Sequence, residues 1–162
     1  MLQTQTRSTV NLKPLLNIDL SPVLNDGIDI IGLDIQSNYD NSVDYQKKPL
    51  APLKASTIES KRKKGYAEPE KPLKATGKLS RNQKKQRATK ASQRAVIYIS
   101  KSALNYGGRK KGVPADKLYS YHDDGSGKLP SRQPWGISDQ AREKIAKAYH
   151  QRIRRIVLNL GR

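Results

Sequence analysis

The chain has 162 residues, a formal net charge of +18 and no cysteine. The lack of cysteine excludes disulfides, zinc–thiolate sites and a cysteine nucleophile. No apolar run approaches the ~18 residues that span a bilayer, and residues 1–10 lack the apolar core of a secretory signal. We therefore expect a soluble protein made inside the cell. A hydrophobic fraction of 35% indicates a thin core, so we expect some segments to lie outside it or to order only against partners.

The charge is divided unevenly along the chain. Residues 1–45 contain two basic and six acidic residues, whereas residues 46–162 contain thirty basic and eight acidic ones. Two interpretations remain open. In the first, the oppositely charged ends bind other molecules, either further copies in a head-to-tail contact or two unlike partners. In the second, an acidic helix folds back on the basic body of its own chain.

The first predicted element is a helix that starts at Ser21. Serine is a good N-cap, and Pro22 suits the first helical position because its missing N–H costs nothing there. Helical spacing then gives one apolar stripe, formed by Leu24, Ile28, Ile31 and Ile35. A strand over residues 28–35 is the alternative. Residues 1–20 are predicted to be an N-terminal arm, and residues 21–162 a single domain.

The middle of the domain is predicted to carry two extended arms, residues 45–75 and residues 78–94. The first is irregular around its prolines and contains a short helix opened near Ser56 and ended by Gly65. The second has seven basic residues and no acidic one. It leads into a strand over residues 95–100, rich in β-branched and aromatic residues, so residues 78–101 are interpreted as a hairpin with a basic, mobile tip.

The strand should place Val96 and Tyr98 on one face, with Ile97 and Ile99 on the other. A glycine-rich loop is expected over residues 105–116. The final element is a long helix, capped by Ser138 and ended by Gly161. Its predicted apolar stripe is Ile145, Tyr149, Ile153, Ile156 and Leu160. The predicted fold is therefore α+β, with an N-terminal helix, a small antiparallel sheet with a long basic hairpin arm, and a long C-terminal helix.

Fragments that resemble catalytic motifs lack essential parts. Residues 125–128 end like a phosphate-binding loop, but His122 and Leu129 stand where that motif needs glycine and a hydroxyl residue. His122, Asp123 and Asp124 are neighbours that would point to opposite faces of an extended chain, which disfavours a metal site. With two histidines and no assignable triad, we expect neither an enzyme nor a bound metal or cofactor.

Four short patterns follow one another along the chain. Their residues are Pro52, Leu53, Thr57, Ile58, Lys61, Arg62, Lys63 and Gly65; Pro72, Leu73, Thr76, Gly77 and Leu79; Tyr119, His122 and Gly125; and Leu129, Pro130, Arg132, Gly136, Ile137 and Ser138. In this order they resemble the virion morphogenesis family of tailed bacteriophages, the tail-completion proteins related to the G protein of phage Mu. Gln133 interrupts the family's Arg-Pro-aromatic run.

The resemblance implies a structural virion protein that joins head and tail as a ring, with six copies expected, around the DNA channel. Its expected partners are further copies of itself and the neighbouring neck, head-completion and tail-terminator proteins, with non-specific contact to genomic DNA and no membrane. Its expected place is the head–tail interface of the virion, and the host cytoplasm during assembly. The alternatives are a basic nucleic-acid-binding protein of ribosomal or nucleoid type and an internal scaffold or capsid-associated protein.

Physical roles follow for residues within these patterns and beside them. Gly77 permits the chain reversal into the hairpin, and the Arg132 fork suits a carboxylate or a backbone carbonyl that locks its turn. Trp135, with Ile137, is expected to bury against the last helix. The candidate subunit or partner interface is Pro52, Leu53, Thr57, Ile58, Leu73, Gly77, Arg132 and Trp135. The candidate contacts to DNA or to an acidic partner are Arg81, Lys84, Lys85, Arg87, Lys90, Arg109, Lys110 and Lys111.

Overall fold

A computed structural model describes residues 18–104, 112–125 and 129–160 of the chain. Its helices are α1 (Ser21–Asn41), α2 (Ala55–Lys63), α3 (Lys78–Arg81), α4 (Ala115–Asp123) and α5 (Asp139–Leu160). Its strands are β1 (Gln83–Gln86), β2 (Val96–Ile99), β3 (Ala103–Leu104) and β4 (Val113–Pro114). The fold is α+β, as predicted, with a helix near the start of the domain, small antiparallel sheets and a long final helix.

Helices α1 and α5 pack side by side and run in opposite directions. Gly27 of α1 lies against Ile145, where an added Cβ would meet Ile145 Cγ2 at 3.8 Å. Ser138, at the start of α5, faces Asp34 further along α1. The predicted cap of α5 is confirmed, because Ser138 Oγ accepts the Ala141 N–H at 3.1 Å. The predicted cap of α1 is wrong by one residue: Leu20 holds the N-cap position, with no side-chain cap.

The core lies between α1, α4 and the sheet strands. It is a buried apolar cluster of Ile35, Tyr39, Leu79, Leu104, Ala115 and Leu118. Strand β2 contributes Ile97 and Ile99 to the edge of this cluster, whereas Tyr98 on its other face is 46% exposed. The predicted alternation of β2 is therefore confirmed, and the sheet buries one face only.

The basic hairpin is antiparallel, with Gln83 opposite Ile99 and Gln86 opposite Val96. Residues 87–95, hereafter the arm loop, connect its strands. The short helix α3 precedes β1 and starts after Gly77, whose φ of +68° is one that side-chain-bearing residues rarely adopt. Strands β3 and β4 form a second two-stranded pair, with Ala103 opposite Pro114.

Sequence reasoning missed helix α4. We expected a loop to residue 116 and an extended run at His122–Asp124, but residues 115–123 are helical. A period of 3.6 places Leu118 and His122 on the same buried face. Ile137, which we expected to be buried, is 38% exposed. Over the described ranges, no helix is long and apolar enough to cross a membrane.

Candidate partner-binding groove

Arg132 joins two segments that are distant in sequence. Its Nε donates to the Ala51 carbonyl at 2.8 Å and a terminal guanidinium nitrogen donates to the Pro52 carbonyl at 3.0 Å. Its own N–H donates to the His122 carbonyl at the end of α4. Of the two acceptors predicted for this fork, a carboxylate or a backbone carbonyl, the structure shows backbone carbonyls, and they belong to a distant segment and not to the local turn. Arg132 itself is 4% exposed. We call residues 129–135 the clamp segment because they hold the proline-rich chain against α4.

The end of the clamp segment reaches the core through Trp135. Its Nε1 donates to the Tyr39 hydroxyl at 3.2 Å, and its ring lies 5.7 Å from the Tyr119 ring. Burial raises the pKa of Tyr39 far above its ordinary value. Trp135 therefore packs against the buried apolar core cluster, whereas the sequence predicted burial against α5.

A groove opens between α2, the chain that follows it and α4. The cavity is about 310 Å³, at the small end of ligand pockets in general. Leucines from five parts of the fold line it, and they are Leu53, Leu73, Leu79, Leu104 and Leu118. Of the eight candidate interface residues, Leu53, Thr57, Leu73 and Gly77 line the groove, and Arg132 holds one of its walls.

The other candidate interface residues do not line this groove. Pro52 is exposed and is held through its carbonyl by Arg132, while Ile58 is half-buried on α2. Leu73 has a φ of +58°, a left-handed conformation that costs an L-residue energy. The backbone thus bends sharply where Leu73 meets the groove and the core edge.

The rim of the groove is basic. Lys61, Lys64, Lys74 and Lys78 line it, and among the described residues no acidic side chain does. Burial lowers the pKa of Lys61, whose amine donates to the carbonyls of Glu68 and Lys71. Lys74 pairs with Glu68 at 2.6 Å. Lys64 and Lys78 have no carboxylate partner within the described chain, so they are available to a negatively charged partner.

His122 forms part of the groove wall on α4. It is 9% exposed, and burial, with a smaller contribution from the nearby Arg132 charge, lowers its pKa. Its Nδ1 has no hydrogen-bond partner within the described chain. The imidazole therefore stays neutral near pH 7. Sequence reasoning missed His122 and Leu118 as groove residues, although their i, i+4 spacing is the signal of a shared helical face.

The arm loop lies along the start of α1, and does not extend from the body as we expected. The Asn25 side chain donates to the Ala88 carbonyl at 3.1 Å and accepts the Ala88 N–H at 2.8 Å. Gln93 makes similar contacts with the backbone of Ile18 and Leu20. Ala88 is consequently buried. No local sequence pattern predicts these long-range contacts.

The candidate DNA-contacting residues have different surroundings. Lys85 and Arg87 both contact the Asp29 carboxylate, which lowers the pKa of Asp29. Arg81 donates to the Thr76 carbonyl at 2.6 Å. Lys84 and Lys90 are exposed. Arg109, Lys110 and Lys111 lie outside the described residues.

The acidic helix α1 meets basic residues of its own chain. Asp29 pairs with the hairpin, Asp34 pairs with Lys47 at 2.6 Å, and Asp40 pairs with Lys74 at 3.3 Å. Of the two interpretations of the divided charge, the fold-back one therefore holds for these three aspartates. Asp26 differs, because it is exposed and makes no ion pair within the described ranges.

Comparisons with protein-family models, with curated proteins and with solved structures found no match to this chain.

Proposed function

We propose that this chain is a structural virion protein of a tailed phage that completes the neck and joins head and tail. The observation that carries the proposal is the convergence of the four patterns that resemble the tail-completion family. Leu53 and Leu73, from the first two patterns, line the same groove as His122, from the third. Arg132, from the fourth, holds the carbonyls beside the first.

The charges and the groove support a binding role of this kind. A groove with an apolar floor and a basic rim suits a protein partner that brings apolar and acidic side chains together. A ring of such subunits around the channel would also present positive charge to the DNA. Contacts between basic side chains and phosphates need this charge but no particular geometry.

Electron microscopy of lysates from a phage that lacks this gene tests the proposal. We expect DNA-filled heads beside separate tails, and intact virions when the gene is supplied from a plasmid. Tails of abnormal length would move the role to tail termination. Intact virions without the gene would overturn the proposal.

One feature favours a second candidate function, binding to the nucleic-acid backbone. Five basic residues of α5 are exposed without an ion pair in the described ranges, and they are Arg142, Lys144, Lys147, Arg154 and Arg155. This function predicts tight binding of the isolated protein to a labelled DNA duplex, with affinity that falls steeply with salt. Replacing Arg154 and Arg155 by Gln should reduce the salt slope by about 2. Absence of binding at low salt would remove this candidate.

A further inference from the structure

The outer face of α1 carries an exposed apolar ridge in an acidic helix. Asp26, Ile30, Leu33 and Ser37 follow one another at spacings of four, three and four, which places them on one face. Leu33 is 72% exposed, the highest value among the large apolar side chains that the structure describes as exposed. Three of the four aspartates of α1 pair with basic residues of their own chain, whereas Asp26, on this face, has no ion pair in the described part of the chain. We call these four residues the α1 ridge.

The groove complements the α1 ridge in shape and in charge. Its floor is leucine-rich, its cavity of about 310 Å³ is open to solvent, and its rim carries lysines and no acidic residue of the described chain. Lys64 and Lys78 have no carboxylate partner in the described part of the chain. An apolar helix ridge entering an apolar groove is a common mode of recognition, and opposite charges at the rim favour the correct orientation.

We propose that the α1 ridge of one copy docks in the groove of a second copy, with Leu33 over the leucine floor and Asp26 near the rim lysines. The inference rests on the proposed ring assembly, for which it names the two contacting surfaces. The ridge and the groove are different surfaces, so each copy presents one of each. Such a head-to-tail contact generates a closed ring or an open filament, whereas a self-complementary contact would end at a dimer.

Two sets of exposed substitutions test the contact without disturbing the core. Leu33→Arg blocks the ridge and leaves the groove intact. The pair Lys64→Glu and Lys78→Glu blocks the groove and leaves the ridge intact. The pair Lys101→Glu and Lys147→Glu is the control, since it makes the same charge change at exposed sites outside the ridge, the groove and the arm loop. Circular dichroism melting checks that each variant folds like the natural chain.

Sedimentation velocity of the purified chain provides the measurement. The natural chain and the control should associate beyond a dimer, and each blocked variant should associate at least about tenfold more weakly. A mixture of the two blocked variants should form a one-to-one dimer, because only one ridge and one groove remain competent.

Three results would overturn the inference: a natural chain that remains monomeric at its highest soluble concentration, blocked variants that associate as the natural chain does, or a mixture that yields no dimer. The virion role fails separately, through intact virions in lysates that lack the gene. A chain that associates as described but is dispensable for joining would retain the contact and lose the proposed function.

Discussion

The clamp segment and the arm loop are two irregular stretches that the body of the protein holds in different ways. The clamp segment is held by a buried guanidinium on two carbonyls and by an indole in contact with the core. The arm loop is held by the hydrogen bonds of Asn25 to Ala88, by those of Gln93 to the chain before α1, and by the partly exposed ion pair of Arg87 with Asp29. Exposed ion pairs contribute little, about 0–1 kcal/mol each.

This difference separates a permanent part of the fold from a segment that can detach. Releasing the clamp segment would break the hydrogen bonds from the buried Arg132 guanidinium to the part-buried Ala51 and Pro52 carbonyls, and hydrogen bonds to a charged group contribute more than neutral ones. Releasing the arm loop returns mostly exposed groups to water. A loop held in this way can exchange its contacts with α1 for contacts with a neighbouring subunit.

Removing the clamp should have the largest effect. Arg132→Met leaves the Ala51 and Pro52 carbonyls without their donors, and we expect the free energy of unfolding to fall by about 2–4 kcal/mol. The free energy of unfolding of Arg132→Lys should lie between those of the natural chain and of Arg132→Met, because an ammonium is charged but lacks the planar fork. Arg155→Met, at an exposed site on α5, is the control. Urea unfolding measures all three, and an unchanged midpoint for Arg132→Met would contradict the clamp.

Releasing the arm loop should have a smaller effect. Asn25→Ala removes both hydrogen bonds to Ala88, and we expect a loss of about 1–2 kcal/mol with faster amide exchange in residues 87–95. Asp29→Asn removes the carboxylate that faces Lys85 and Arg87, and we expect less than about 1 kcal/mol. Asp26→Asn is the matched control on the same helix. Equal exchange rates in Asn25→Ala and the natural chain would show that Asn25 does not hold the loop.

The smallest effect should be a dependence of stability on pH through His122, beside the clamp. Burial lowers the pKa of His122 in the folded state below the ordinary 6.5, so the unfolded state takes up a proton first as the pH falls. Stability from this group is complete above pH 6.5 and declines as the pH drops below it. His122→Gln should flatten the melting temperature between about pH 7.5 and 5.5.

The chain offers a direct comparison for this pH effect. His150, the second histidine, is exposed on α5. His150→Gln should retain the slope of the natural chain. If His122→Gln retains that slope as well, His122 is not the group that titrates, and the groove wall is more open to water than its burial indicates.

The sequence by itself determined the elements whose signals are local. Periodicities of 3.6 and 2 placed α1, α5 and β2, because each buries one regular face against the body. Ser138 predicted the start of α5, because a serine side-chain oxygen caps the first N–H groups of a helix. Arg132 was assigned to a carboxylate or a backbone carbonyl, because its planar fork fits either acceptor. Helix α4 was missed because a polar run ending in aspartates and glycine is also typical of a turn.

Only the tertiary structure decided which of these parts meet. Leu53, Leu73 and Leu118 line one groove, and Asn25 holds Ala88, through contacts between residues far apart in sequence. The tertiary structure likewise decided which aspartates form ion pairs within the chain and which stay unpaired, because pairing depends on which basic residue lies within reach of each aspartate. A pattern along the chain records which face of an element is apolar, but not which other face covers it.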